Sequence, residues 1–438
     1  MSHTANHDPN REIRIDVPLL TRVEGEGSLE FVARNGRIES LQLRIFEPPR
    51  LFEKFLEGKD YSEVPNIAAR VCGVCPIAYQ MTSIRAMEKV FGMQESPWVH
   101  AMRRVVYYGE WLQSHALHLN LFAAPDFLGF SDVIHMAHRH PEDVRRGMHL
   151  QELGNDMLRL LGGRSVHPIG LRVGGFFRAP PKHEVADLVD KLLAARDLVR
   201  EFVAWAVGLP YPKDEQEFVS IAVRHPHEYG INEGRLASDR GLDIDFSEYP
   251  ERFREHQVSH STAHYSMLDG SSYFLGPLAR MNLNFDLLPA EVQDLARELG
   301  LRFPSHDMFH NVAARALECY LAVVDSLNIL QAYRLPNRPW IEPTPRAGVG
   351  HHCTEAPRGM IYHRFELNES GEVIAATMIP PTSQNQARLE QNLNVAMERF
   401  GLQHADEQLR ELCEKVIRNY DPCLSCSTHF LKMTVHRE

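Results

Sequence analysis

Two short segments, RVCGVCP at residues 70–76 and DPCLSC at residues 421–426, each contain a Cys-x-x-Cys pair. The first pair directly precedes a predicted helix at 77–91, and the positive end of a helix favours the thiolate form of a nearby cysteine. Residues 76–422 separate the two pairs. A tetrathiolate site made from both pairs would therefore be closed by the two ends of one domain.

Three kinds of site are compatible with two such pairs. The first is a structural zinc site, although zinc ribbons usually bring their pairs together within a few tens of residues. The second is a redox dithiol, which should follow a strand of a βαβ unit, and no such strand is predicted before Cys72. The third is a functional site for a soft transition metal. Spacing alone leaves the zinc site and the functional metal site open.

Composition narrows the class of protein. The chain has 438 residues, of which 44% are hydrophobic and 24% are charged, and this excludes a disordered or low-complexity protein. Its net charge of −11 disfavours nucleic acid and anionic membrane surfaces as partners. No apolar run reaches the roughly 20 residues of a membrane span. The first sixteen residues carry no apolar signal segment, so we expect a cytoplasmic protein without membrane insertion.

The hydrophobic pattern predicts an α+β fold that is mainly α, with a large helical body and small antiparallel β pieces near both ends. Strands are predicted within 11–46, with a hairpin turn at Asn35-Gly36, and within 359–379, with a turn at Ser370-Gly371. Segment 210–285 is irregular and is expected to form surface loops with short elements. No repeat or flexible linker is found, so residues 1–438 are interpreted as a single interleaved domain. The predicted helices are 77–91, 97–122, 141–161, 182–207, 289–299, 308–332, 384–400 and 405–418.

The residues around the cysteine pairs resemble the large, catalytic subunit of nickel-iron hydrogenases. Two cysteine signatures in order, one near each end, with EAPRG between them, form a specific combination, and the similarity extends across almost the whole chain. The segments that carry it are TRVEGEG at 21–27, RVCGVC at 70–75, HALH at 115–118 with Pro125-Asp126, His167-Pro168 with Gly174-Gly175, EAPRG at 355–359, PTSQN at 381–385 and DPCLSCSTH at 421–429.

The resemblance implies a nickel-iron centre at which H2 is reversibly split into protons and electrons. Cys72, Cys75, Cys423 and Cys426 would bind nickel, with Cys75 and Cys426 also bridging to an iron that carries CO and cyanide ligands. The terminal thiolate of Cys423 would be the first base, and Glu24 would take the proton onward. A base of this kind must lie within hydrogen-bonding distance of its proton donor.

The resemblance also assigns residues around the metals. Arg358 would lie over the open metal position and donate a hydrogen bond to a cyanide. Asp126 and Asp421 would hold Arg358 in place. Pro357 and Thr382 would line the iron ligands, with Thr382 donating a hydrogen bond.

A magnesium ion and a maturation step follow from the same resemblance. Glu53 and His429 would bind the magnesium. Residues 430–438 would be a C-terminal extension that a maturation endopeptidase removes after nickel-insertion factors have loaded the site.

Two departures from the family pattern indicate a branch. Glu26 replaces a histidine and Gln384 replaces a tryptophan, and both changes resemble the soluble, cytoplasmic NAD(P)-linked or sulfhydrogenase-type enzymes. No nucleotide site is found in this chain. The predicted partners are therefore an iron-sulfur small subunit and diaphorase-type subunits that carry flavin and NAD(P). The alternatives are a non-catalytic assembly subunit of the same ancestry and a structural zinc protein.

The remaining histidines and cysteines are given structural roles. His115 and His118, three residues apart on a predicted helix, are expected to make hydrogen bonds near the site rather than to bind metal. Three further cysteines occur singly and are expected to be inert buried thiols: Cys319, Cys353 and Cys413.

Overall fold

The computed structural model describes residues 11–428, and helices form nearly half of this part of the chain. The predicted α+β class, mainly α, is confirmed. The α-helices are α1 (Phe52–Leu56), α2 (Val64–Ala68), α3 (Pro76–Phe91), α4 (Pro97–Leu117), α5 (Ala124–Leu128), α6 (Val133–Arg139), α7 (Pro141–Gly162), α8 (Lys182–Val207), α9 (Tyr249–Arg252), α10 (Pro277–Asn284), α11 (Ala290–Glu298), α12 (His310–Gln331), α13 (Pro381–Phe400) and α14 (Asp406–Asn419).

The strands of the described residues pair antiparallel in small sheets of two or three. The strands are β1 (Ile13–Val17), β2 (Gly27–Arg34), β3 (Arg37–Ile45), β4 (Leu171–Arg172), β5 (Gly175–Phe176), β6 (Ile221–Arg224), β7 (Arg235–Ser238), β8 (Asp243–Ile244), β9 (Phe253–Gln257), β10 (His264–Leu268), β11 (Gly348–Ala356), β12 (Gly359–Leu367) and β13 (Val373–Ile379).

The helical body is built around α4 and α12, which pack on each other and on α7 and α8. Both central helices are buried around most of their circumference, so their apolar residues cover several faces and some of their charged side chains are buried as well. Helices α4 and α7 approach closely where Gly109 faces Gly154. A Cβ atom on Gly154 would lie 2.5 Å from the backbone nitrogen of Gln113. Among the described residues, none of the helices combines the length and apolar character needed to cross a membrane.

The N-terminal sheet has the predicted hairpin. Strands β2 and β3 are joined at Asn35 and Gly36, which both have positive φ, as a two-residue hairpin turn requires. Alternate residues of β1 and β2 face the core. The isolated bridge between Glu24 and Cys423 brings the C-terminal segment to this sheet. This contact supports the single-domain interpretation, which stays a prediction; residues 430–438 lie outside the described part of the chain.

The second predicted β region is confirmed and is larger than expected. Strands β12 and β13 form the hairpin across Ser370-Gly371, and β11 adds a third strand before them. The sequence of β11 does not alternate because the strand is buried on both faces over most of its length. The tight turn between β11 and β12 contains Pro357 and Arg358.

The short elements expected within 210–285 are present, but the segment is not the surface loop that was predicted. Strands β6–β10 and helix α10 lie in this segment, and Tyr229, Asn232 and Tyr273 are fully buried. Some of the polar side chains that suggested loops are hydrogen-bonded inside the fold: the Tyr273 hydroxyl, for example, donates to Gln384 Oε1 at 2.9 Å. Short strands with internally paired polar side chains leave no periodic signal in the sequence.

Candidate metal centre

Both cysteine pairs meet in one place. Cys72 and Cys75 precede α3, while Cys423 and Cys426 follow α14. All four Sγ atoms lie within 4.8 Å of one another, and each cysteine is at most 4% exposed. No other group of three or more His, Cys, Asp or Glu within residues 11–428 has metal-ligand spacing. The structure therefore unites the four predicted cysteine ligands.

The local backbone directs hydrogen-bond donors at the first cysteine of the first pair. The backbone N–H groups of Val74 and Cys75 donate to Cys72 Sγ at 3.3 and 3.2 Å, and Pro76 begins α3 directly afterwards. Two N–H groups in the first turn of α3 donate to the buried carboxyl of Glu110 from α4, at 2.6 and 3.1 Å. Glu110 thereby satisfies donors that would otherwise lack a partner at the helix start.

The thiols share protons unequally. Burial favours the neutral form of Cys72, but hydrogen bonds from the other three thiols outweigh it and hold the pKa of Cys72 well below its usual range. Hydrogen bonding with Cys423 raises the pKa of Cys75, and burial raises the pKa values of Cys423 and Cys426. The protons that these thiols hold would be displaced by a bound metal. This donor set fits a soft metal ion.

Glu24 lies directly on the second pair. The Cys423 thiol donates to Glu24 Oε2 at 2.9 Å, and the backbone N–H of Ser425 donates to the same oxygen at 3.3 Å. The Ser425 hydroxyl donates to Glu24 Oε1. The Leu424 N–H donates to the Glu24 carbonyl at 2.8 Å, so backbone pairing fixes the carboxylate beside the thiol.

Arg358 is buried beside the thiols. Its Nε donates to the carbonyl oxygen of Asp421 at 2.7 Å, and its Nη2 donates to Asp421 Oδ1 at 3.0 Å. Within the described part of the chain, its Nη1 is buried and has no hydrogen-bond partner. Burial opposes the charge, but Asp421 and the neighbouring thiolates outweigh it and raise the pKa of Arg358. Nη1 of Arg358 is thus a charged hydrogen-bond donor that could bind a ligand that the protein itself does not supply.

The structure corrects the expected role of Asp126 and supplies a partner for Asp421. Asp126 pairs with Arg22 and with Arg418, whose Nη1 donates at 2.9 Å, rather than with Arg358. Asp126 lies in α5, beyond a π-helical turn at 118–123 that ends α4, and there it faces the N-terminal segment and α14. Asp421 alone of the two expected carboxylates contacts Arg358.

Thr382 and Pro357 both border the site. The Cys423 N–H donates to Thr382 Oγ1 at 2.9 Å, which leaves the hydroxyl proton of Thr382 available for donation. The carbonyl oxygen of Pro357 accepts from Arg280 at 3.1 Å, so this turn is tied to α10.

A buried charged network behind Arg358 was missed by the sequence interpretation. Arg315 Nη1 donates to Asp421 Oδ2 at 3.1 Å, and Glu318 accepts from Arg280 Nη2 at 2.6 Å and bonds to His115 Nε2 at 2.8 Å. All of these side chains are essentially inaccessible. The available signal was Arg315 and Glu318, two charges three residues apart in the otherwise apolar helix α12.

The two HALH histidines make the hydrogen bonds expected of them. His115 bonds to Glu318, and His118 Nε2 donates to the carbonyl of Arg418 at 2.7 Å. Neither belongs to the cysteine cluster. Burial lowers the pKa of His115 to about 4 and that of His118 to about 3, so both rings are neutral at neutral pH.

Glu53 is held inside the fold. Its Oε1 accepts from the Met378 N–H at 2.6 Å. Burial raises its pKa to about 8, and the nearby carboxylate of Glu255 adds to this increase. A buried carboxyl group beside a second carboxylate fits a hard cation such as Mg²⁺. His429, the other expected ligand, lies outside the described residues.

The three single cysteines are fully buried. Burial raises the pKa of each thiol, and that of Cys413 rises to about 12. These values agree with the predicted inert thiols.

Four converging cysteines, an adjoining carboxylate and a buried guanidinium define a metalloenzyme built for a soft transition metal.

The profile described as nickel-dependent hydrogenase matches residues 50–148 and 247–429. The chain is 31% identical over 421 residues to sulfhydrogenase 2 subunit alpha of Pyrococcus furiosus, across 96% of this chain and 100% of that protein. It is 26% identical over 473 residues to the NAD-reducing hydrogenase HoxS subunit beta of Cupriavidus necator, across 96% of this chain and 95% of that protein.

Solved structures agree with the sequence comparisons. The crystal structure of an NAD+-reducing NiFe-hydrogenase in the H2-reduced state has a TM-score of 0.85 at 25% identity, with 95% of this chain and 99% of that chain covered. A Ni-Fe-Se hydrogenase from D. vulgaris Hildenborough has a TM-score of 0.80 at 22% identity and shows the same fold, with 96% of this chain and 100% of that chain covered. The chain belongs to the nickel-dependent hydrogenase family. It is a hydrogenase large subunit, an oxidoreductase that acts on H2.

Proposed function

We propose that the four cysteines hold a nickel-iron centre with CO and cyanide ligands on iron, and that this centre interconverts H2 with protons and electrons. All four thiols would bind nickel, with Cys75 and Cys426 bridging to iron. The observation that carries the proposal is the convergence of four buried thiols with a carboxylate 2.9 Å from one of them. When bound, the centre would supply the Lewis acidity that polarises H2 and would accept its electrons.

The protein's own groups would move the proton. Cys423 Sγ holds it first, and Glu24 Oε2 receives it across the 2.9 Å hydrogen bond. The Ser425 N–H and hydroxyl groups hold the Glu24 carboxylate in position for this transfer.

Arg358 and Thr382 would hold the diatomic ligands of iron. The unpartnered Nη1 of Arg358 is the donor for a cyanide, and Asp421 sets its direction by accepting from Nε and Nη2. The Thr382 hydroxyl can donate while it accepts from the Cys423 N–H. Pro357 excludes water from the same wall of the site.

Glu53 and His429 would bind a magnesium ion, with Glu53 losing its proton on binding. The segment 430–438 would be removed by a maturation endopeptidase after nickel-insertion factors have acted.

Electrons would leave through an iron-sulfur small subunit. The three remaining cysteines are dispersed and buried, so within the described residues they offer no second cluster. The name of one relative, an NAD-reducing hydrogenase, supports NAD(P) as the final carrier, which would be reached through diaphorase-type subunits. We place such a complex in the cytoplasm.

Two variants test this proposal against a surface control. In the complex matured in its native host, Cys423→Ser should abolish H2 uptake, because it removes both a nickel ligand and the first base. Glu24→Gln should keep nickel and iron but slow the exchange of D2 with water by about 100-fold or more. Glu39→Gln, an exposed carboxylate on β3, should resemble the wild type. Normal uptake by Cys423→Ser would contradict the proposed base.

The alternatives predict other results. A structural zinc protein would contain zinc alone, and a non-catalytic assembly subunit would take up no H2 when its metal site is filled. Loss of nickel from Glu24→Gln would show that Glu24 has a structural role.

A further inference from the structure

Two more carboxylates adjoin Glu24 on the side toward solvent. Glu47, which follows β3, is half-buried, and its Oε1 accepts from the backbone N–H of Glu26 at 2.7 Å. The Glu26 side chain is exposed. Cys423 is 2% exposed, Glu24 and Glu47 are both half-buried, and Glu26 reaches water.

Gly25 allows the close approach of these groups. It has φ +86°, and a Cβ atom built on it would lie 2.6 Å from both Glu47 Oε1 and the backbone nitrogen of Ser425. Both of those atoms therefore flank the same point in space. Ser425 is also the residue whose hydroxyl and N–H groups bind the Glu24 carboxylate. Glu47 Oε1 and the Glu24 carboxylate thus both lie close to the backbone nitrogen of Ser425.

The charges around Glu47 favour proton uptake. Burial raises the pKa of Glu47, and the nearby charges of Glu24 and Glu26 add to the increase. The hydrogen bond from the Glu26 N–H and the charge of Arg50 oppose it. A carboxyl group with a raised pKa is better matched to a proton relay near neutral pH than an ordinary surface glutamate.

We propose that Glu47 is the next proton acceptor after Glu24 and that it delivers the proton to water beside Glu26. In this step the O–H bond of protonated Glu24 breaks and an O–H bond forms on Glu47, with the Ser425 hydroxyl or one water molecule as the bridge. The Glu47 proton then passes to solvent, which restores the carboxylate. The inference rests on the proposed function, because it needs Glu24 to receive the proton from Cys423.

The test compares Glu47→Gln and Glu47→Asp with Glu39→Gln in the intact matured complex. Glutamine can still accept from the Glu26 N–H, so the local turn is kept while the titratable group is lost. Exchange of D2 with water should fall at least ~10-fold in Glu47→Gln, with nickel content and the infrared bands of CO and cyanide unchanged. Glu47→Asp should retain part of the rate, and Glu39→Gln all of it.

A small proton carrier separates a relay from a structural role. Added imidazole at pH 7 should restore much of the exchange rate of Glu47→Gln and should leave the wild type unchanged. A wild-type rate in Glu47→Gln would overturn the inference, as would a loss that imidazole does not restore.

The outcome for Glu24→Gln identifies which proposal fails. Slow exchange in Glu24→Gln with normal exchange in Glu47→Gln would reject only the Glu47 relay. Normal exchange in Glu24→Gln would reject the proposed function of Glu24 itself.

Discussion

Arg315 is a buried charge that costs stability and serves the metal site. Its side chain is fully buried, and within the described residues its Nε and Nη2 atoms have no partners. Nη1 donates to Asp421 Oδ2 at 3.1 Å, opposite the oxygen that Arg358 uses. Replacement by methionine, which has a similar length and no charge, should therefore stabilise the fold and weaken activity.

The size of the effect follows from the pKa of Arg315. Burial, together with the charges of Arg358 and Arg280, outweighs Asp421 and Glu318 and lowers this pKa from 12.5 to about 10. A shift of that size means that the charged form is disfavoured by about 3 kcal/mol relative to water. Asp421 keeps Arg358 as its partner in Arg315→Met, so no carboxylate is left unpaired. The free energy of unfolding should rise by up to ~3 kcal/mol.

The expected loss of activity in Arg315→Met comes from the weaker support of the Asp421 carboxylate. Without Arg315, the Asp421 carboxylate is held from one side only, and Arg358 loses part of its fixed direction. The loss of one hydrogen bond to a charged group is worth about 1.5–3 kcal/mol, which corresponds to roughly a 10- to 100-fold lower rate of H2 oxidation.

Arg103 provides the matched control for both effects. It is as buried as Arg315, but its donors are paired with Glu88 and Glu95, and these charges overcome burial and raise its pKa. Arg103→Met should lower the free energy of unfolding by about 3–5 kcal/mol, because it breaks a satisfied buried pair. Urea midpoints of the metal-free chains, followed by the fluorescence of buried Trp111 beside His115, measure both variants.

If Arg315→Met loses as much stability as Arg103→Met, the Arg315 charge does not cost stability. If the metal-loaded Arg315→Met complex oxidises H2 at the wild-type rate, Arg315 does not serve the metal site.

Three further perturbations test separate contacts. Glu110→Ala leaves two buried N–H groups of α3 unpaired, which should cost about 1–3 kcal/mol of stability each and lower nickel retention. Glu110→Gln keeps one acceptor and should lose about half as much stability, and metal analysis after dialysis distinguishes the two variants. His118 has a pKa of about 3 when folded, so protons bind the unfolded chain first, and His118 alone should lower the stability of the wild type by about 2 kcal/mol between pH 7 and 5. His115 acts in the same direction, so His118→Gln should remove only the share of His118, as urea midpoints at the two pH values would show. Below pH 8, Mg²⁺ must displace the proton of Glu53, so the Mg²⁺ affinity measured by calorimetry should fall about tenfold per pH unit from pH 8 to 6. Glu53→Gln should remove this dependence on pH.

Local signals made much of the fold predictable. The hairpin turns at Asn35-Gly36 and Ser370-Gly371 and the helices with three- and four-residue apolar spacing are where the sequence indicated. Helices α3, α4 and α7 begin at Pro76, Pro97 and Pro141. Proline is tolerated there because N–H groups in the first helical turn make no hydrogen bond within the helix. Strand β11 was missed, and the short elements expected within 210–285 could not be placed, since buried or very short strands carry no alternation.

The cysteine motifs identified the four thiols that converge, but they could not specify the contacts behind them. The partner of Asp126 depends on how α5 turns away after the π-helical segment 118–123, and no motif encodes that direction. The link between Arg315 and Asp421 joins residues 106 positions apart in the chain. Such pairs follow from helix packing, which a single sequence does not reveal.

An infrared spectrum of the complex purified from its native host, together with a nickel and iron count, tests the central claim most directly. The account predicts CO and cyanide stretching bands and about one nickel and one iron per chain in addition to any iron-sulfur clusters. Zinc in place of nickel, with no such bands from a host able to mature the site, would contradict the assignment of the four cysteines to a catalytic nickel-iron centre.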